Sequence, residues 1–255
     1  MPARLIPVLL LDRHRRLIKT VGFGERTYIG DPFNVIRIFN EKEVDEICIL
    51  DIDASVDGRS PDPSFVSEFA SECFMPLGYG GGVASIEDAE NLFKAGVEKM
   101  IVGAHASDGN LIEAISRDFG SQSIVVSVDV ARSGNDWEVK TFSGQRVVSH
   151  NPLEYAQKMV ASGAGEILLN NIDRDGNRSG YDLELVKQMS ANLSVPLITL
   201  GGAGDHENLR QGLAAGAQAA ASGSAFVFQG RLRAVLITYP TAQEMVSEIS
   251  PLEST

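Results

Sequence analysis

Short apolar runs alternate with longer amphipathic stretches along almost the whole chain. The runs are Leu5–Leu11, Ile47–Ile52, Met75–Tyr79, Lys99–Val102, Ile124–Val130, Glu166–Asn170, Pro196–Leu200 and Ala217–Ala221. Several are apolar throughout rather than alternating, the pattern of parallel strands covered on the outside by helices. Between them, segments such as Ile86–Ala95 and Leu183–Ala191 carry apolar residues at helical spacing, and Ala-Gly at 95–96 and 215–216 marks helix ends. Strands alternating with helices predict a parallel sheet. Eight such units in 255 residues predict one domain, a closed (β/α)8 TIM barrel, in preference to a doubly wound open sheet.

The same pattern repeats within the chain. The stretch from Ile47 to Gly103 recurs at an offset of 120 residues, pairing Glu46 with Glu166, Asp53 with Asp173, Gly81-Gly82 with Gly201-Gly202, Ala95-Gly96 with Ala215-Gly216 and Gly103 with Gly223. The barrel is therefore expected to consist of two half-barrels, about 1–120 and 121–240. One insertion interrupts the repetition. Residues 131–148, ARSGNDWEVKTFSGQRVV, carry turn residues around an alternating stretch and predict a β-hairpin on the C-terminal face.

Composition narrows the function classes. The net charge of −12 argues against a nucleic-acid partner, because phosphate-backbone binders gather Lys and Arg. An anionic ligand must then be held by backbone N–H groups or a few placed cations. Cys48 and Cys73 lie in apolar surroundings with no metal-ligand spacing, which predicts buried free thiols in a reducing compartment. The opening run, in MPARLIPVLLLDRHRR, is too short to span a membrane and lacks a small-residue cleavage site; it reads as a buried strand of a cytoplasmic protein. His14, His105, His150 and His206 are scattered, so neither a metal nor another cofactor is expected.

Glycine-rich segments follow the third strand (GYGGGV, 78–83), the seventh (LGGAGD, 200–205) and the eighth (SGSAF, 222–226). Glycine there lets backbone approach an oxyanion, and the next helix start adds N–H donors. Gly81, Gly82, Gly201, Gly202, Gly223 and Ser224 are accordingly candidate phosphate ligands, one site per half-barrel; the alternative is that the glycines only make tight βα turns. Asp129 ends an apolar strand, where a carboxylate has no structural reason to stand without a partner, and is the leading acid–base candidate. Asp51, Asp53, Asp173 and Asp175 also follow strands, and helix capping or turn chemistry explains such residues equally well; Asp175, followed by Gly176, is the functional candidate among them. On the opposite face, Arg4, Glu46, Lys99 and Glu166 stand at the starts of strands one, two, four and six. They are either solvated rim charges or a closed ionic ring.

The segments DEICILDIDAS, YGGGV, FGSQSIVVSVD, GAGEILLNNIDRDGNRSGYD and GGAG closely resemble the cyclase subunit of imidazole glycerol phosphate synthase, over about residues 4 to 230. The resemblance implies a glutaminase (HisH-like) partner on the N-terminal face. It further implies ammonia passing along the barrel axis, a bisphosphorylated substrate at the C-terminal face, and general acid and base aspartates ending strands one and five. Arg4, Glu46, Lys99 and Glu166 match that family's gate to the ammonia channel, Asp129 its fifth-strand aspartate, and Lys19 its phosphate-side lysine. The first-strand aspartate is Leu10 here; Asp12, two residues later, on the same side of a strand but about 6–7 Å further out, is the candidate to replace it as the second catalytic carboxylate. Gly103-Ala104 stands where a polar pair is expected after strand four, which weakens one phosphate site.

The segments PVLLL, RIFNEKEVDE, ASECFMPLGYGGG and FVFQGRLRAVLITYP resemble more closely a side branch of this family. That branch is associated with surface-polysaccharide clusters and with amidination of a sugar by a separate amidotransferase. Two functions follow: a synthase subunit that uses ammonia itself, or a binding and conducting module that activates a glutaminase and passes ammonia on. Asp129, Asp175 and Lys19 favour the first, Leu10 and Gly103-Ala104 the second. The sibling sugar-phosphate isomerase on the same barrel ranks last, since it gains nothing from the ionic ring.

Overall fold

A computed structural model describes residues 3–229, 234–241 and 245. Eight parallel strands close into a barrel: β1 (Arg4–Leu11), β2 (Ile47–Asp51), β3 (Leu77–Gly80), β4 (Lys99–Val102), β5 (Ile124–Ser133), β6 (Glu166–Asn171), β7 (Leu197–Leu200) and β8 (Ala219–Ser222). Each pairs with its sequence neighbours, and β8 pairs with β1 to complete the ring. Seven helices among the described residues cover it: α1 (Pro32–Glu41), α2 (Pro63–Glu72), α3 (Ile86–Lys94), α4 (Asn110–Phe119), α5 (Pro152–Ala161), α6 (Leu183–Asn192) and α7 (His206–Ala214). Three of them start on Asp-Pro or Asn-Pro, where Asp31, Asp62 and Asn151 cap free N–H groups and the proline takes a position that needs no donor.

The internal repeat is visible element by element. Arg4 and Ile124, Pro32 and Pro152, Ile47 and Ile167, Pro63 and Leu183, Leu77 and Leu197, Ile86 and His206, and Lys99 and Ala219 stand at matching positions, 120 residues apart in each case. Residues 230–233 of the second half-barrel, 242–244 and the chain beyond 245 lie outside the described residues.

Two apolar layers hold the barrel. One lies between strands and helices and contains Leu9, Phe39, Ile49, Phe69, Leu92 and Met159. The other fills the lumen: Ile6, Val8, Cys48, Ile101, Val125, Leu168, Ile198, Leu200, Ala219 and Ala221, with Leu10 and Leu50 packed against them. Strand β3 contributes Gly78 and Gly80 to this layer. A Cβ on Gly80 would fall 2.9 Å from both Ile101 and Leu50, so its neighbours fill the space it leaves.

Several elements differ from the pattern expected. The third and eighth runs begin later, at Leu77 and Ala219, because Met75-Pro76 and Ala217-Gln218 belong to the turns. Cys73 is only half-buried, since it terminates α2; Cys48 lies in the lumen, where burial raises its thiol far above the ordinary range. After β1 the chain forms an antiparallel pair, Leu17–Thr20 with Arg26–Gly30, that no sequence pattern announced. In the insertion, β5 itself continues to Ser133, pairs antiparallel with Asp136–Thr141, and this pairs with Arg146–Ser149. The tip between them turns through Phe142, Ser143 and Gly144, all left-handed (φ 51°, 53° and 82°), and Ser143 Oγ donates to the Ile52 carbonyl at 2.8 Å. The hairpin therefore reaches across the barrel mouth to the end of β2.

Candidate functional site

A cavity of about 140 Å³ opens at the C-terminal ends of the strands. Alternation along each strand decides what it contains. Inward positions run Arg4, Ile6, Val8, Leu10 on β1, Val125, Ser127, Asp129 on β5 and Glu166, Leu168, Asn170 on β6, so Arg4 and Glu166 put charge at the bottom, aliphatic carbon fills the middle, and Asp129 and Asn170 stand at the top with aliphatic Leu10. Asp129 Oδ1 accepts from Ser127 Oγ at 3.0 Å and from Asn170 Nδ2 at 3.2 Å. Burial pushes its pKa up to about 6, against the pull of those two hydrogen bonds.

Lys19 reaches the same cavity from the antiparallel strand after β1. It is buried, and its Nζ donates to the Val8 carbonyl at 2.8 Å. Burial lowers its pKa to about 8, while the nearby Asp175 carboxylate partly offsets the shift. Asp175 also lines the cavity and accepts from Thr20 Oγ1 at 3.0 Å; burial raises its pKa against that bond and the charge of Lys19. Asp51 accepts from the backbone N–H groups of Asp53 and Ala54 and pairs with Arg59, so it serves the turn after β2. Asp53 takes Arg26 bidentately at 2.7 and 2.8 Å, which holds its pKa down at about 2.

Asp12 does not reach the cavity. Its Oδ1 accepts from the N–H groups of His14 (2.9 Å) and Arg16 (3.0 Å), and its Oδ2 binds the Arg16 guanidinium at 2.7 and 2.9 Å. Burial alone would raise its pKa, but these bonds outweigh it and keep the carboxylate ionised. Asp12 is thus a turn cap, and the inward position above Val8 belongs to Leu10. The expectation that Asp12 stands in for the first-strand carboxylate is corrected on this ground.

The glycine pairs have a packing reason that the two halves share. A Cβ on Gly81 would collide with the Asp51 carbonyl, and one on Gly201 with the Asn171 carbonyl; Gly82 and Gly202 would likewise strike the Arg59 and Gly180 carbonyls. Each pair lies beneath the loop that follows the preceding strand. Gly81 and Gly82 nevertheless line the cavity, as do Gly103, Gly176, Gly223 and Ser224, whereas Gly201 and Gly202 do not. At the end of β8, Ser222 Oγ accepts from the N–H groups of Ser224 and Ala225 at 3.0 Å, so the Ser224 N–H expected to face an anion is already engaged, which leaves its hydroxyl and the Gly223 backbone for that role.

On the N-terminal face the four charges meet in one ring. Arg4 binds Glu46 at 2.6 Å and Glu166 at 2.8 Å, and Lys99 binds both glutamates at 2.9 Å. Every charge has two opposite neighbours. Above the ring lies a second, smaller cavity of about 10 Å³, bounded by Glu46, Cys48 and aliphatic side chains. Val8 and Ile101 line both this space and the C-terminal cavity, so the two are stacked on the barrel axis.

Sequence reasoning did not single out Asn170, Ser127, Thr141, Phe23, Phe142 or Arg26, all of which line the cavity. Asn170 and Ser127 were legible in principle, since each lies two residues from an inward neighbour on its strand. The other four come from the antiparallel pair after β1 and the hairpin, whose paths depend on tertiary contacts.

Comparison with known proteins agrees with this geometry. Residues 4–233 match the family model described as histidine biosynthesis protein. A Pseudomonas aeruginosa protein, provisionally named a second HisF-type subunit of imidazole glycerol phosphate synthase, is 48% identical over 246 residues, 95% of this chain and 97% of that one. A provisionally named HisF subunit of Leptospira interrogans is 42% identical over 247 residues, 94% of this chain and 96% of its own. The imidazole glycerol phosphate synthase subunit HisF of Exiguobacterium sibiricum is 39% identical over 224 residues, covering 88% and 90%. With a family model spanning nearly the whole barrel and relatives this similar end to end, the chain belongs to the histidine biosynthesis protein family, among the HisF-type subunits of imidazole glycerol phosphate synthase.

Proposed function

We propose that this chain receives ammonia from a glutaminase docked on its N-terminal face, conducts it along the barrel axis, and uses or relays it at a phosphate-binding site on the C-terminal face. The single observation that carries this reading is the axial column: a closed ring of paired charges, an apolar space the size of one small molecule, and Asp129 beyond it. Paired charges exclude water from the mouth, while a neutral molecule passes if one side chain swings aside. The aliphatic wall above the ring disfavours ammonium relative to ammonia, because a charge there has no partner. A cavity of about 10 Å³ is close to the minimum for one water-sized molecule. At the outlet, Asp129 is positioned to exchange a proton near neutral pH, and Lys19 with Gly223 and Ser224 offers the place for one phosphate.

We further propose that the ammonia serves amidination of a surface-polysaccharide sugar, with a separate amidotransferase downstream, in a cytoplasmic complex. Leu10 supports this reading. It leaves the barrel mouth with an aliphatic group opposite Asp129, which suits a conduit better than two-carboxylate ring closure. The second reading, an authentic cyclase of histidine biosynthesis, is favoured by the convergence of Asp129, Asp175 and Lys19 on one cavity. The two are separated by co-expressing the chain with a HisH-type glutaminase and supplying the bisphosphorylated histidine-pathway substrate. Absence of turnover with glutamine and with ammonium salts, while glutamine hydrolysis is stimulated, is the result expected. Normal turnover reverses the ranking, and failure to bind any glutaminase removes the partner.

A further inference from the structure

The internal repeat supplies its own control for the N-terminal face. Residues 120 apart occupy matching places there, so a difference between the halves is not something that folding of the barrel requires. In the turns that lead into β2, β3 and β4, the first half exposes Glu41, Lys42, Glu43, Asp45, Phe74 and Glu98. At the same places the second half carries Ala161, Ser162, Gly163, Gly165, Ser194 and Gln218, none of them charged or aromatic. In these turns the halves share one charged pair, Glu46 and Glu166, and both belong to the ionic ring.

Phe74 is the largest departure. It is 87% exposed, more than any other large apolar residue described. Its turn is nevertheless fixed: the Asn40 side chain accepts from the Phe74 N–H at 3.1 Å and donates to the Glu72 carbonyl at 2.6 Å. The ring is thus held out in water, where it adds nothing to the core, on a backbone that is already ordered. Such preorganisation lowers the cost of binding. Phe74 precedes β3, which lies between β2 and β4, the strands that begin beside Glu46 and Lys99 of the ring. The patch therefore adjoins the axial mouth. Around it the exposed charges are four carboxylates and one lysine, and the side chains of Glu41, Glu43 and Glu98 have no ion-pair partner among the described residues.

We propose that this sector anchors the glutaminase: the partner presents a basic surface with an apolar pocket that takes the Phe74 ring, and the first half-barrel carries most of the binding energy. The proposal rests on the preceding reading, which sets a glutaminase on this face, and adds where it is held and by what chemistry. An aromatic side chain buried in a partner's pocket supplies affinity, while exposed charges around it steer the approach. A second copy of this chain fits worse. A two-fold contact would set the acidic sector against itself, in a chain whose net charge is already −12.

The experiment measures binding of a HisH-type glutaminase from the same organism to the full chain by biolayer interferometry. Phe74→Ser, which installs the residue type of the second half, should weaken binding about tenfold or more at unchanged Tm. Ser194→Tyr, which adds bulk at the matching place in the second half, should change it by no more than about threefold. The triple variant Glu41→Gln, Glu43→Gln, Glu98→Gln should slow association about fivefold or more at low salt, a difference that disappears near about 0.5 M salt. Unchanged affinity of Phe74→Ser, or an equal loss in Ser194→Tyr, overturns the anchor and leaves the glutaminase on this face. An association rate indifferent to the triple variant overturns the basic partner surface. A wild-type chain that binds no glutaminase overturns the anchor together with the reading it rests on. Sedimentation of the chain alone completes the test: a dimer dissociated by Phe74→Ser overturns the proposal in favour of a second copy, and a monomer supports it.

Discussion

Replacing Lys99 by Met removes one member of the four-charge ring and leaves a singly charged Arg4 facing two glutamates. Taking one partner from a buried ion pair costs about 3–5 kcal/mol, because the remaining charge keeps its desolvation penalty without its compensation. Lys99 is largely buried, with its side chain 17% exposed, and Arg4 continues to bind both carboxylates. The low end, about 3 kcal/mol, is therefore expected. For a chain of this length about 1 kcal/mol corresponds to about 2–4 °C, so Tm should fall by about 6–12 °C. The assay is thermal unfolding followed by circular dichroism at low and at about 0.5 M salt, where exposed pairs are screened and enclosed ones are not. The double variant Lys99→Met with Glu166→Gln keeps only the Arg4–Glu46 pair and should recover much of the loss, since its charges balance again. In the co-expressed complex, glutamine-driven ammonia transfer should change more than activity with external ammonium. A Tm shift below about 2 °C, or one abolished by salt, would mean that the four residues are a solvated rim, and the gate would lose its physical basis.

Asp129→Asn should stabilise the fold at alkaline pH: with a native pKa near 6 against 3.8 unfolded, the native state binds more protons over that interval, so wild-type stability is lost as pH rises through it. The variant should match the wild type near pH 4 and exceed it on the order of 2 kcal/mol near pH 8 in urea titrations; under the second reading, the cyclase, ammonium-driven turnover of the bisphosphorylated substrate should fall about 10²-fold or more, and an unchanged rate there would remove Asp129 from the chemistry. Gly82→Ala and Gly202→Ala should each cost at least about 2 kcal/mol, because both positions have positive φ and meet a backbone carbonyl, whereas Gly103→Ala, with its nearest neighbour 3.5 Å away, should be near neutral; equal costs at all three, measured by chemical denaturation, would contradict the packing explanation. Asp12→Ala should lower stability by about 1–3 kcal/mol through its lost caps to His14 and Arg16 while leaving turnover within about threefold; a large loss of turnover at unchanged Tm would return Asp12 to the catalytic set.

What the chain determined by itself were the features set by local periodicity and by the repeat. Uninterrupted apolar runs such as Ile124–Val130, flanked by helical patterns, specify parallel strands covered on their outer face, and eight of them leave closure as the economical arrangement. The 120-residue offset matched the halves element by element because each βα unit folds on its own neighbours. Two-residue alternation likewise put Arg4, Val8 and Leu10 on one side of β1, and so made both the ring and the absence of a first-strand carboxylate legible. Tertiary structure decided the rest. Asp12 was separated from the cavity by Arg16, four residues on but placed by the turn, which no strand register could reveal. Gly201 and Gly202 were claimed by the loop above them, and the N–H groups of Ser224 and Ala225 by Ser222, because close packing and donor satisfaction act between segments distant in sequence. Lys19, Arg26 and Thr141 reach the cavity on antiparallel excursions whose paths are set by contacts such as Ser143 with Ile52.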